Sequence, residues 1–468
     1  MVKKRLGHGL LTNRARATHT WVIGQPGTGK SRALESWILQ DILAGRGVGV
    51  IDPHGDLFDH LLARVAQLAE RQPEMAERVV IIDPCDPDWA VGFNPLQPVD
   101  GLAEERVAWF LTDVVLKIWQ VDSTAAPRMV WLLVNSFLAL SELGLTLADM
   151  PRFLRDTAWR ESLLIRVTNA QAQAYFRRDF PRSEAAINQW VQPVINKIGA
   201  FTFDPDVRAI VGQPRSTISF RQILDRQLVV LVNLPKGVMG EENSRLLAAF
   251  LVAQFQKAAL SRADVRAREP FYLYLDEFQN YTTDNIQEVL SESRKYALSL
   301  VMAHQYLAQL NANLRTAVLN TAGTIISFRV GYHDALELAR EMFPIPVSVT
   351  HKELHFIPTG GWPIPYFREK REAVTIAEVA ALFTQLQPRT FWVKKRGEPW
   401  PTQQRSLTVS DPPSNPEIRE AMAGLRALSA SHYGRAKAQA VLALPAPHSL
   451  EPAIPVVVEH HVGGSYYD

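Results

Sequence analysis

Residues Gly24-Gln25-Pro26-Gly27-Thr28-Gly29-Lys30-Ser31 spell G-x-x-x-x-G-K-S, a pattern that leaves a chain few ways to fold. A β-branched and aromatic run, Trp21–Ile23, precedes it. Leu34, Trp37, Ile38 and Ile42 follow at helical spacing. Strand, glycine loop and helix in that order form a cradle for phosphate. Glycines let backbone N–H groups curl around oxygens with no Cβ in the way, and the helix N-terminus adds partial positive charge. Within the cradle, Lys30 is placed to reach the β- and γ-phosphates and Ser31 to ligate Mg²⁺. Arg32 completes the set of nucleotide-binding candidates, Gly24 to Arg32.

Such a loop needs acids at the end of a second strand. Tyr272-Leu273-Tyr274-Leu275-Asp276-Glu277 supplies them. In this pattern the first acid, Asp276, orients the Mg²⁺ shell and the second, Glu277, polarises the attacking water. Lys30 and Asp276 lie about 246 positions apart, which points to an elaborated ATPase rather than a small kinase or GTPase. No guanine-selecting N-K-x-D sequence occurs, which favours ATP.

Short apolar runs recur along the chain and alternate with helical patterns, the arrangement of an α/β domain with a mainly parallel sheet. Strands are expected at Thr20–Ile23, Val48–Ile51, Val79–Ile82, Leu228–Val232, Phe271–Leu275, Ser299–Met302, Thr324–Val330 and Phe391–Lys394. Between 101 and 200 strand character fades. Trp109, Val114, Ile118, Trp131, Leu132, Phe137 and Leu138 recur at helical spacing, so an all-α insertion is expected there. The expected organisation is a first part of the core over 1–100, the insertion over 101–200, a second part of the core over 201–397, and a Pro/Ala-rich mobile tail over 398–468. One helix is expected within that tail, around Glu417–Leu428.

Further polar residues fall at strand ends, where a parallel sheet presents side chains to ligand. Asp52, in Asp52-Pro53-His54-Gly55-Asp56, has two open readings: a neighbour of the γ-phosphate or a capping turn. Gln305, after Ser299–His304, is a candidate sensor of the γ-phosphate or of the attacking water, with a strand-end amide as the alternative. Arg294 and Arg329 are candidates for an arginine finger, Arg294 ahead because Arg329 sits inside the apolar run Ile325–Val330. His351 and His355 are four apart, but Lys352 stands where a metalloprotease needs glutamate.

Composition narrows the remaining classes. Hydrophobic residues are 47% and charged residues 21%, enough apolar surface for a core and too much for a disordered chain. Formal net charge is +2, from 50 Lys+Arg against 48 Asp+Glu, so a global basic coat is excluded and a local patch is not. Cys85 is the sole cysteine, which excludes an internal disulfide. Met129–Leu140 is apolar but too short to span a bilayer, and no other convincing span is found. The basic start Lys3, Lys4, Arg5, Arg14 and Arg16 reads as a solvated terminus or as a phosphate contact.

The order G-Q-P-G-T-G-K-S, I-D-P-H-G-D-L, a helical insertion, Y-L-Y-L-D-E-F-Q, R-K-Y-A-L-S-L-V-M-A-H-Q and I-I-S-F-R-V resembles the FtsK/HerA superfamily of motors. Within it, the chain is most similar to the TraG/TraD-type coupling ATPases of conjugation and type IV secretion. The resemblance spans about Leu11 to Lys395. It implies a RecA-like ATPase core with an inserted all-α domain, assembling as a hexameric ring on DNA. It further implies that Lys30, Ser31, Asp276 and Glu277 carry hydrolysis of ATP with Mg²⁺, that Gln305 is a sensor, and that Arg294 reaches the neighbouring subunit's nucleotide. Asp52 matches the acidic position after the second strand. The expected partners are DNA, further copies of the chain, and a relaxase, effector or secretion-channel subunit. The expected location is the cytoplasm, with recruitment to the inner membrane face by partners. A soluble HerA-like DNA pump or helicase, and a substrate-receptor ATPase, stand as alternatives.

Overall fold

The computed structural model describes residues 17–281, 290, 292–344, 347–357 and 364–442. Its centre is a nine-stranded sheet. In chain order the strands are β1 (Thr20–Ile23), β2 (Gly47–Asp52), β3 (Val79–Ile82), β4 (Trp89–Ala90), β5 (Val229–Asn233), β6 (Phe271–Leu275), β7 (Leu298–His304), β8 (Thr324–Ser327), β9 (Val347–Ile357), β10 (Ile364–Val374), β11 (Thr390–Lys395), β12 (Thr402–Arg405) and β13 (Arg435–Ala436). The main sheet runs β12-β11-β8-β1-β7-β6-β2-β5-β3. From β8 to β3 every pairing is parallel, whereas β11 and β12 add antiparallel at the β8 edge.

The strands are apolar on both faces because both faces are covered. Alternate residues serve different cores: Phe271, Leu273 and Leu275 of β6 face one, and Tyr272 and Tyr274 the other. The second core is covered by helix α1 (Lys30–Leu43) and helix α2 (Asp56–Arg71). Leu34, Trp37, Ile38 and Ile42 of α1 are all buried, as the spacing predicts. Asp41, on the same helix and fully buried, is satisfied by the Tyr274 hydroxyl at 2.7 Å and Arg46 at 3.0 Å.

The first core is shared with the helical insertion. Helix α3 (Glu104–Ile118), α4 (Pro127–Glu142) and α5 (Glu184–Phe203) form its main body. Helical structure continues past 200, through Pro205–Val211 and Phe220–Asp225, so the sheet resumes only at β5. Helix α6 (Glu241–Ser261) lies between insertion and sheet and is buried on nearly all sides, as a helix wedged between two layers must be. Among the described residues no single helix is long and apolar enough to cross a membrane.

Two regions depart from the expected organisation. β9 and β10 pair over eleven positions as a separate antiparallel hairpin that no apolar alternation announces, and His351 and His355 lie on β9. The mobile tail expected from 398 is a correction. Residues 402–405 form β12, and helix α7 (Pro416–Tyr433) packs on the open edge of the sheet at β3. There Ile81 N–H donates to Ser429 Oγ at 2.9 Å, Arg426 pairs with Asp83 at 2.7 Å, and Leu425 is buried. An otherwise unpaired strand edge is thereby covered. The rest of the expected tail, residues 443–468, and the basic start lie outside the described residues.

Two histidines are buried within the sheet. His19 accepts from Leu300 N–H at Nδ1 and donates from Nε2 to Leu290 O, and burial pulls its pKa down to about 4. His304 accepts from Trp21 Nε1 at 2.7 Å, and burial, with Lys30 nearby, lowers its pKa to about 3. Both are neutral in the fold and protonate in the unfolded chain near pH 6.5. Below that pH the unfolded state binds more protons, so stability falls as pH drops from about 6.5 towards 4. Denaturant titrations at pH 7 and pH 5 should differ by on the order of 2 kcal/mol per histidine. His19→Gln should flatten its share of that slope.

Candidate nucleotide site

The glycine loop leaves β1 at the carboxyl edge of the sheet and is hung between its two neighbours. Gly24 N–H donates to His304 O at 3.3 Å on the β7 side, and Gln25 N–H to Arg329 O at 2.9 Å on the β8 side. Gly27 (φ 74°) and Gly29 (φ 97°) hold left-handed conformations that only glycine adopts without strain. At Gly24 the constraint is space, since a Cβ there would lie 2.6 Å from Phe328 Cβ. Thr28 turns inward to bond Gln25 O at 2.7 Å.

A cleft of about 440 Å³ brings this loop, from Gln25 to Arg32, together with Asp276, Glu277, Gln305 and His54. The topology accounts for the meeting. β7 lies between β1 and β6, so Gln305 emerges between the glycine loop and the two acids. Lys30 is buried, and burial lowers its pKa while Asp276 and Glu277 oppose that shift. Burial raises the Asp276 carboxyl and Lys30 opposes it. Its Oδ1 accepts Glu277 N–H at 3.0 Å.

Glu277 has left-handed backbone (φ 50°, ψ 46°), a sparsely populated conformation for a residue with a Cβ. Four side chains donate to its carboxylate. Gln305 Nε2 at 2.8 Å and His54 Nε2 at 2.9 Å bond Oε1; Lys236 Nζ at 2.9 Å and Asn280 Nδ2 at 3.1 Å bond Oε2. The hydrogen bond from His54 leads the causes that hold this carboxyl well below the usual range.

Of the residues picked from sequence, Gln25–Gly27, Gly29–Ser31, Asp276, Glu277 and Gln305 line the cleft, while Gly24 and Thr28 shape the loop from behind it. The others are placed differently. Each oxygen of Asp52 accepts a backbone N–H, from His54 and Phe58 at 2.9 Å each, so Asp52 caps the turn that carries His54 and does not line the cleft. The Arg32 guanidinium lines the cleft but bonds Glu35 at 2.9 Å and also His60 and Asp411. Arg329 is not inside a strand: β8 ends at Ser327, and Arg329 is half-buried in the turn that supports the loop. Arg294 is exposed in a 3₁₀ turn before β7, at the amino edge of the sheet. A seven-residue strand separates it from Gln305, roughly 20 Å at the usual rise, so Arg294 does not serve this chain's own cleft. Sequence reading missed Lys236 and the role of His54. The available signal was Asn233-Leu234-Pro235-Lys236, a polar turn at the same sheet edge as Asp52-Pro53-His54.

Ser31 and Asp276 suit Mg²⁺ shared with phosphate oxygens, since Mg²⁺ takes few protein ligands. Among the described residues no group of three or more His, Cys, Asp or Glu could hold a metal alone.

Residues 270–338 match the family described as "TraM recognition site of TraD and TraG". That stretch contains β6, β7 and β8, and so the acids, Gln305 and both finger candidates. No curated protein sequence matches the chain. Among solved structures, the fold is similar to "Bacterial conjugative coupling protein TrwBdeltaN70" in an unbound form, with TM-score 0.62 and 15% identity over 89% of this chain and 92% of that one. It is also similar to the plasmid coupling protein TrwB in complex with ADP and Mg²⁺, with TM-score 0.59 and 15% identity over 87% and 88%. A third is TrwB with the GTP analogue GDPNP, with TM-score 0.59 and 15% identity over 86% and 89%. At that identity the likeness is one of fold.

Gly24→Ala should cost about 1–3 kcal/mol, because Phe328 Cβ belongs to a packed core that yields little. A lowered melting temperature with unchanged far-UV circular dichroism is the expected result.

Proposed function

We infer that this chain, which has the fold of a conjugative coupling protein and a TraD/TraG family segment, is an ATP-driven DNA translocase of conjugation or type IV secretion. One observation carries the reading: Lys30, Asp276, Glu277 and Gln305 meet at a single cleft beneath a glycine loop. The loop and Lys30 would bind the phosphates, and Ser31 and Asp276 would hold Mg²⁺. Bound Mg²⁺ would neutralise charge on the β- and γ-oxygens. Glu277 would orient and polarise the attacking water, with Gln305 beside it to report the state of the γ-phosphate. Arg294, exposed on the opposite edge, would complete the cleft of the next subunit in a ring, and Arg329 supports the loop from its own side.

The choice of ATP over GTP rests on the missing N-K-x-D sequence alone, and TrwB itself was captured with analogues of both. Turnover should therefore be measured with each nucleotide.

The second reading, a receptor that recruits a protein partner, is favoured by the family description of residues 270–338 and by Trp109 and Trp131. These two side chains are 43% and 46% exposed and stacked edge-to-face on the insertion. Deleting the insertion is a poor test, since it would strip cover from the first core. Trp109→Ala with Trp131→Ala removes the exposed pair alone and should abolish partner capture while basal turnover persists.

ATP hydrolysis should rise more than linearly with protein concentration and be stimulated by DNA. Lys30→Ala should abolish it, and Glu277→Gln should lower kcat by about 10²–10⁴-fold while nucleotide still binds. Mixing Arg294→Ala with Glu277→Gln subunits should recover part of the activity at shared interfaces. An assembled protein that neither binds DNA nor responds to it would overturn the translocase reading.

A further inference from the structure

The Glu277 carboxylate has about four lone-pair sites, and four protein donors lie within 2.8–3.1 Å of it. A base so fully engaged has no vacant site for a proton from water. Before it can act, a donor must leave. Gln305 and Asn280 are neutral amides, from the end of β7 and from the turn that follows the acid itself. His54 and Lys236 come from the turns after β2 and β5, on the other side of β6 from Gln305.

Those two turns are one mechanical unit. Leu234 N–H donates to Asp52 O at 3.0 Å, and Lys236 N–H to Pro53 O at 3.2 Å. The unit is in turn tied to helix α6, where Ser244 Oγ donates to Leu234 O at 2.8 Å. The first turn of α6 is held by the insertion: Asn243 Nδ2 donates to Asp204 Oδ2 at 3.2 Å, and Lys197 pairs with Glu242 at 3.6 Å. Gly240, at φ 79°, is the joint between the Lys236 turn and α6.

We propose that Lys236 and His54 are positioning residues that latch Glu277 away from the attacking water, and that the insertion releases the latch through the first turn of α6. The partner that engages the insertion thereby licenses hydrolysis. The inference rests on the reading of Glu277 as the water-polarising carboxylate.

The test is steady-state turnover of Mg-ATP by the full chain without any partner. Lys236→Met and His54→Phe should each raise basal kcat by about tenfold, the scale of one lost charge-assisted hydrogen bond, with KM changed less than about twofold. Lys236→Arg keeps the donor and should keep basal kcat low. Asn243→Ala combined with Glu242→Ala cuts both polar links from the insertion without touching the cleft and should raise kcat in the same direction. His54 is half-exposed, so His54→Phe carries the test if Lys236→Met fails to fold. A fall in kcat for Lys236→Met would make Lys236 a catalytic contact and overturn the latch. So would unchanged kcat in both Lys236→Met and His54→Phe. Unchanged kcat in the Asn243→Ala, Glu242→Ala protein, with the latch variants raised, would remove the insertion from the path. If Glu277→Gln turns over as fast as the wild type, the reading of Glu277 fails and the latch with it; if Glu277→Gln is inactive and the latch variants are unchanged, only the latch fails.

Discussion

The Lys30 ammonium lies beneath the glycine loop with 8% of its surface exposed, and Asp276 and Glu277 are the charges that oppose its desolvation. A buried cation without such partners would lose its proton or unfold its surroundings. The requirement shapes the sheet. Lys30 starts the helix after β1, and the acids end β6, two strands away. β7 must fill the space between them, and it supplies both the His304 carbonyl that receives Gly24 N–H and the Gln305 amide that reaches Glu277.

The same economy appears at the next two strands. β2 and β5 end in polar turns that are bonded to each other through backbone, and each turn sends one donor to Glu277. The cleft is therefore built from the carboxyl ends of consecutive strands, the place where a parallel sheet gathers loops from distant parts of the chain. The insertion is not a separate appendage in this arrangement. Its helices share the first core with α6, and α6 begins at Glu241, five positions after Lys236.

Much of this was legible before any coordinates. The glycine loop, the acids of β6 and most strands could be read because short apolar runs and phosphate-loop chemistry are local properties. The helical insertion could be read because its spacing is local too. The tail was misread in part because its composition is rich in Pro, Ala and Ser, while what orders α7 is a distant strand edge and a distant acid, Asp83. Arg329 was misplaced because an apolar run does not reveal where a strand stops pairing. The β9–β10 hairpin escaped for a related reason, since its pairing is with itself rather than with the buried sheet.

The sequence by itself determined where the candidate phosphate-binding residues lie, Gly24–Ser31 and Asp276 with Glu277, because a glycine loop and a strand-end acid pair are local patterns. It also determined that the core is an α/β sheet, since strand-length apolar runs alternate with helical spacing along the chain. Only the tertiary structure decided which strands are neighbours. That choice put Gln305 against Glu277, turned Asp52 into a cap, set Arg294 on the far edge, and brought Lys236 and His54 to a carboxylate 41 or more residues away in the chain. Strand order comes from how the two faces of the sheet are covered as a whole, and no local pattern of residues encodes it.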